Sequence, residues 1–154
     1  MSVPLASEAS IPNPALEPFS ALIGRWDVQG KHRLMQDTVL HGRSSFEWVE
    51  NGAFLMWRSA VDEPGIPSAL AIIGSDDRQH EFFMLYFDER GVSRMFQVTL
   101  QDDIWAMWRN APGFSQRYTG LIEDGGNTIR AQWDLSEDGL TWEKDIELVY
   151  RRAA

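Results

Sequence analysis

The sequence predicts an all-β protein: a barrel of about ten antiparallel strands in up-and-down order, with one short N-terminal helix closing its base. Three observations carry this expectation. Short segments in which polar and apolar residues alternate recur from residue 25 to residue 152, and that alternation is the period of a half-buried strand. Clusters rich in Gly, Asp, Asn and Pro separate the segments at nearly regular intervals. The connections are too short to hold a layer of helices, so strands adjacent in sequence are expected to pair, and closing the series removes its exposed edges.

The chain has 154 residues, 44% of them hydrophobic, enough for one domain with a packed core and no covalent staples. Residues 1–12 are rich in Ser, Ala and Pro and read as a flexible segment, leaving residues 13–154 as a single barrel domain. A net charge of -9 argues against nucleic acid as a partner, because phosphates would be repelled by most faces of the molecule. The absence of cysteine removes disulfides, thiolate chemistry and cysteine zinc sites. No histidine pair stands at metal-ligand spacing, so no metal site is expected. The stretch "MSVPLASEASIPNPALEPF" has no basic start and no long apolar run. "FFMLYF" at 82–87 is far too short to span a bilayer. No membrane insertion and a cytoplasmic location are the expectations.

The elements follow in order. Asn13-Pro14 is a helix start, with proline pre-set for the first turn, and Leu16, Phe19 and Leu22-Ile23 recur at helical spacing until Gly24. The next stretch, "LIGRWDVQGKH", superficially resembles a phosphate-binding loop. It has five residues between its glycines, and His32 stands where a metal-binding hydroxyl is needed. Arg25 to Gln29 alternate instead, which is a strand. Strands are expected near 25–32, 42–50, 53–61, 69–75, 81–88, 92–101, 103–110, 114–123, 127–135 and 140–152. Asn51-Gly52 reads as a two-residue hairpin turn.

Side-chain parity then sorts inside from outside. With Trp26 inward, Val28, Gly30 and His32 share its face. Phe46 and Trp48 point inward on the next strand, and across the turn so do Leu55, Trp57 and Ser59. Phe96, Val98 and Leu100 bring Arg94 inward, with Tyr86 opposite it. Ile129, Ala131, Trp133 and Leu135 line one face of their strand, and Leu140, Trp142, Ile146, Leu148 and Tyr150 line one face of the last, taking Lys144 with them. Strand 103–110 is apolar on both faces and does not declare its parity. Asp134, Glu143, Asp145 and Glu147 fall outward, and His41 and His80 sit near turns at the surface. Alternating strand direction puts His32, Tyr86, Arg94 and Lys144 at one mouth, above an aromatic floor of Trp48, Trp57, Phe96 and Trp133. Apolar residues on both faces of "FFMLYF" and of "IWAMW" at 104–108 point to a covered outer surface, with a homodimer contact as the expectation.

The short helix followed by "LIGRW", with Gly24 and Trp26 opening the first strand of a meander, resembles the calycin superfamily of lipocalins and fatty-acid-binding proteins. The resemblance implies that an arginine from the last strand packs across that tryptophan. The chain ends "LVYRR", and Arg152 is taken for this structural role, with Arg151 as the other candidate. The layout also resembles an uncharacterised bacterial lipocalin-like family and the nitrobindin-type haem barrels. The latter draw a histidine ligand from their C-terminal part, whereas this chain has His32, His41 and His80 and none beyond. Haem is therefore disfavoured, and no cofactor is expected.

A ten-stranded barrel need not be filled by its own side chains, and an apolar pocket with a few convergent polar groups is the usual form of a small-molecule site. The leading expectation is a carrier or sensor for a small hydrophobic or amphipathic acid, its anionic end held by Arg94 and Tyr86, with His32 and Lys144 nearby. The alternatives are a small hydrolase or isomerase using His32 and Tyr86 as acid and base, with Arg94 on an oxyanion, and a scaffold whose lumen is filled by aromatic rings. No nucleophile-elbow spacing surrounds any serine, and no inward catalytic carboxylate is evident.

Overall fold

A computed structural model describes residues 10–76 and 81–154. Ten antiparallel strands follow one another around a closed barrel: β1 (Gly24–His32), β2 (Leu40–Val49), β3 (Phe54–Val61), β4 (Ala69–Asp76), β5 (Glu81–Asp88), β6 (Ser93–Gln101), β7 (Ile104–Arg109), β8 (Ser115–Glu123), β9 (Thr128–Ser136) and β10 (Glu143–Arg152). Each pairs with its sequence neighbours, and β10 returns to β1 with Trp26 opposite Arg152 and His32 opposite Ile146. His80 and the start of the chain lie outside the described residues.

The turns explain much of the register. Across the first hairpin Phe46 pairs with Trp57 and Trp48 with Leu55, but the ladder ends at Val49–Phe54. The connection is therefore four residues rather than two, with positive φ at Glu50, Asn51 and Gly52. Asp102 and Asp103 form a two-residue turn with φ of 55° and 62°, the backbone form that follows the right-handed twist of hairpin strands. It pairs Gln101 with Ile104 and Leu100 with Trp105.

The N-terminal helix spans Pro14–Leu22 and is a 3₁₀ helix rather than an α-helix. Asn13 caps it by accepting from the Ala15 N–H at 3.0 Å. Pro18, inside it, has no N–H for an α-helical bond. Its buried residues are Leu16, Phe19 and Leu22, three apart, which is the repeat of a three-residue turn. This apolar edge plugs the base. Above it lie Trp26, Phe46, Trp105 and Tyr118, with Trp105 meeting Phe46, Trp57 and Tyr118 edge-on at centroid distances of 5.7, 5.2 and 4.7 Å. Each such pair contributes about 0.5–1.5 kcal/mol beyond its buried area.

Arg152 locks the base. Its guanidinium lies 4.3 Å above the Trp26 ring and donates to the carbonyls of Ile23 (2.6 Å), Ala21 (2.7 Å) and Gly126 (3.0 Å). Trp26 in turn donates from Nε1 to the Leu22 carbonyl at 2.9 Å. Gly24 makes room for this. Its φ is +126°, and a Cβ there would stand 2.8 Å from Arg152 Nη1.

The last strand departs from simple alternation. Lys144 pairs with Asp134 but Ile146 pairs with Trp133, so Asp145 is an extra residue in a bulge. A bulge reverses the facing of everything on one side of it. Lys144, expected inward, therefore lies on the outer face, where it meets Glu147. Trp142, also expected inward, stacks under Arg117 outside the barrel at 4.1 Å. Leu140, on the loop before β10, is 85% exposed. Asp145, expected outward, turns to the mouth. The outer face of β3 to β6 carries an apolar row in which Met56, Ile72, Leu85 and Met95 are successive cross-strand partners.

Candidate functional site

The upper half of the barrel is hollow. A cavity of about 410 Å³ opens at the His32 end and is lined on one side by Gly30, Gly42, Ser44, Ser59, Ala69 and Ala71. These small residues occupy inward positions of β1 to β4 where the lower half of the barrel places Trp26, Phe46 and Leu55. The lumen is filled where inward side chains are large and empty where they are small. Gly42 also permits the strands to approach closely, because a Cβ there would sit 2.4 Å from the Ala60 carbonyl oxygen. The floor is formed by Trp57, Phe96 and Trp133, with Trp57 Nε1 donating to the buried Ser44 hydroxyl at 3.2 Å. Trp48, expected in this floor, packs instead against the lower core, one pair above the end of the β2–β3 ladder.

The opposite wall is polar. Tyr86 and Arg94 are cross-strand partners on β5 and β6, and both line the hollow. The Tyr86 hydroxyl donates to Asp88 Oδ2 at 2.8 Å. Asp88 also accepts two bonds from the Arg90 guanidinium, at 3.1 and 2.7 Å. Arg90 thereby holds the Asp88 carboxyl well below its usual range. Burial, with the Asp88 acceptor adding to it, pushes the Tyr86 phenol up to about 12. Tyr86 therefore keeps its proton, already committed to Asp88. Arg94 donates from Nη1 to Gln116 Oε1 at 3.2 Å and lies 5.2 Å from the Phe114 ring centre.

His32 is held at the rim. The Leu34 N–H donates to its Nδ1 at 3.1 Å, which assigns the hydrogen to Nε2. Nε2 faces Asp145 Oδ1 at 3.5 Å, and Arg33 Nε donates to the same oxygen at 3.0 Å. Both ring nitrogens are thus engaged.

Of the residues expected at the site, the structure brings His32, Tyr86, Arg94, Trp57, Phe96 and Trp133 to one cavity and leaves Lys144 and Trp48 elsewhere. Gly24, Trp26 and Arg152 meet at the base. Sequence reasoning passed over Arg90, Phe114, Gln116 and Asp145, all of which line the cavity. The signal for Gln116 was available, since Tyr118, Gly120 and Ile122 share its parity.

The charge of the wall is unlike that of the chain. The sequence has 23 acidic and 14 basic Lys and Arg residues, yet the cavity is lined by Arg33, Arg43, Arg90 and Arg94 and by one carboxylate, Asp145. Three of these arginines are neutralised: Arg33 by Asp145 at 3.0 Å, Arg43 by Asp62 at 3.2 Å and Arg90 by Asp88 at 2.7 Å. Among the described residues Arg94 has no carboxylate partner.

No protein-family model and no curated protein matches the chain. Among solved structures it is similar to Rv2717c from M. tuberculosis, with a TM-score of 0.62, 13% identity, and coverage of 94% of this chain and 100% of that one. A protein of unknown function from the DUF3598 family of Nostoc punctiforme aligns at a TM-score of 0.28 with 6% identity, over 92% of this chain and 100% of its own. The likeness to Rv2717c concerns the fold alone. Among the described residues no helix is long and apolar enough to cross a membrane.

Proposed function

We propose that the barrel binds a small amphipathic molecule, its hydrophobic body against Trp57, Phe96 and Trp133 and its anionic end at Arg94. The observation that supports this reading is the uncompensated Arg94 charge on the wall of a hollow whose floor is aromatic. A guanidinium taken partly out of water without a counter-charge is costly, and a bound carboxylate or similar group offsets that cost through paired, charge-assisted hydrogen bonds. The acid–base alternative draws no support from the geometry, since neither Tyr86 nor His32 has a free group poised to move a proton. The filled-scaffold alternative describes the lower half of the lumen and not the upper. Haem stays outside the reading, because His32 has both nitrogens engaged and the His41 side chain is 54% exposed.

The test is native mass spectrometry of the protein from its own host, followed by thermal shift with medium-chain and aromatic acids. A ligand at a hundred times its Kd stabilises by about 2.7 kcal/mol, which is a rise of several degrees for a chain of this size. Arg94→Met is expected to lose most of that rise. No carried molecule and flat shifts for both forms would remove the proposal.

A further inference from the structure

We infer that the ligand is a compact aromatic acid with a second oxygen at the end away from its charge, read by the hydroxyls of Ser44 and Ser59. This rests on the reading of the cavity as an anion site and names the class of ligand. Ser44 is only 4% exposed, yet it lines the hollow. Its Oγ accepts from Trp57 Nε1 at 3.2 Å. Among the described residues its own hydrogen goes to no protein acceptor. A nearly enclosed donor without a partner is costly, and on the wall of a pocket it is the kind of polar group that orients a ligand. Ser59 is the cross-strand partner of Ser44 and lines the same hollow. Among the described residues its hydroxyl also has no protein partner. Directly opposed residues on one face of an antiparallel pair have Cβ atoms about 4.5–5.5 Å apart, so one ligand oxygen can meet both hydroxyls.

The topology separates this pair from the anion site. Arg94 belongs to β6, but its guanidinium donates to Gln116 on β8. In the ring of strands β8 and β3 face each other, with four strands between them on either side. Arg94 and Ser59 therefore act from opposed walls, and the second oxygen belongs at the far end of the ligand. Tyr86 does not compete for it, because its hydroxyl is committed to Asp88. Size and lining set the class of the body. The hollow of about 410 Å³ is about 2.7 times the 150 Å³ that holds a single benzene ring, which is room for two fused rings and their substituents. Trp57, Phe96 and Trp133 lie beneath, with Phe96 and Trp133 edge-on at 5.4 Å. Ring contacts of this kind stabilise beyond the area they bury.

The experiment is calorimetric titration of the full chain at pH 7 with 2-naphthoates carrying a hydroxyl or a methyl at position 6 or 7, and with decanoate. Hydroxyl and methyl are close in size, and a wholly apolar wall would favour the methyl. Wild type is expected to bind the hydroxy acid about tenfold more tightly than its methyl counterpart at one position or both, a difference of about 1.4 kcal/mol. Ser44→Ala is expected to bring this ratio to one or below. Ser59→Ala leaves the Trp57 bond in place and should lower the ratio about threefold. A Ser44 that only supports Trp57 would, when replaced, weaken both acids alike and leave the ratio unchanged. Circular dichroism establishes that the variants are folded; should Ser44→Ala fail to fold, the wild-type ratio and Ser59→Ala still decide. A wild-type ratio of one or below at both positions, or a ratio that neither variant moves, would overturn the hydroxyl pair and leave the anion pocket standing. Decanoate bound where no naphthoate binds would overturn the aromatic class in the same way. Binding of none of these acids would remove the pocket reading itself.

Discussion

Replacing Arg152 with methionine keeps the length and much of the volume of the side chain while removing its charge and all five donors. Three hydrogen bonds disappear, to Ala21, Ile23 and Gly126, together with the stacking over Trp26. A hydrogen bond from a charged donor contributes about 1.5 kcal/mol at the low end of its range, and the cation–π contact adds about 0.5–1 kcal/mol. The site is only partly buried, so water recovers some of the carbonyl bonding. The expected loss is about 3–4 kcal/mol. Urea unfolding followed by tryptophan fluorescence would read it as a midpoint lowered by about 1.5–2 M if the slope is about 2 kcal/mol/M, and thermal unfolding as a fall of about 10 °C. Arg152→Lys should recover less than half, since an ammonium cannot reach three carbonyls from one planar fork. A methionine variant within about 1 kcal/mol of wild type would refute the assignment of Arg152 as the lock of the base.

Two further predictions concern pH. Backbone N–H bonds from Thr141 and then Leu140 lower the Asp138 carboxyl to about 2, so the stability it confers is present above the unfolded value near 4 and is lost as pH falls toward 2. Asp138→Asn keeps an acceptor but cannot titrate, and its acid-unfolding curve should be flatter than wild type between pH 4 and 2; superimposable curves would count against the loop contact. The chain has three tyrosines, and burial raises all of them: Tyr86 to about 12, Tyr118 and Tyr150 well above the ordinary phenol. The folded protein should therefore form almost no phenolate at pH 10, and its stability should fall above that pH as the unfolded chain releases the protons the folded state retains. A third of the total absorbance change at 295 nm appearing near pH 10 in folded protein would contradict the placement of one of these rings.

What was legible in the sequence was whatever rests on period and turn. Strand order, the Phe46–Trp57 and Tyr86–Arg94 pairings and the mouth position of His32 all follow from alternation carried across short turns. The β10 bulge was not legible, because Trp142, Lys144 and Ile146 keep an unbroken two-residue spacing and nothing in "EKDIE" announces an extra residue. That hidden insertion moved Lys144 out of the cavity and brought Asp145 to its rim. β7 looked ambiguous because both its faces are apolar, yet Asp102-Asp103 as a two-residue turn sets Trp105 opposite Leu100 and so directs Trp105 and Met107 inward. The hollow itself could have been read from Gly30, Gly42, Ser44, Ser59, Ala69 and Ala71, but only once each was known to face the lumen at the same height. The 3₁₀ form of the first helix follows from Pro18 and the three-residue spacing of its buried side chains.

The Arg152 clamp lies at the opposite pole from the polar rim. Trp26 and His32 are six positions apart on β1, about 20 Å along an extended strand, well beyond the range over which substitutions usually interfere energetically. The residues that hold the base together and those that line the hollow therefore sit at separate ends of one molecule. Residues around the opening can be exchanged in combination, each change adding its own small cost, while the sealed pole keeps the meander shut; the same freedom does not extend to Gly24, Trp26 or Arg152, where a single exchange disturbs all three.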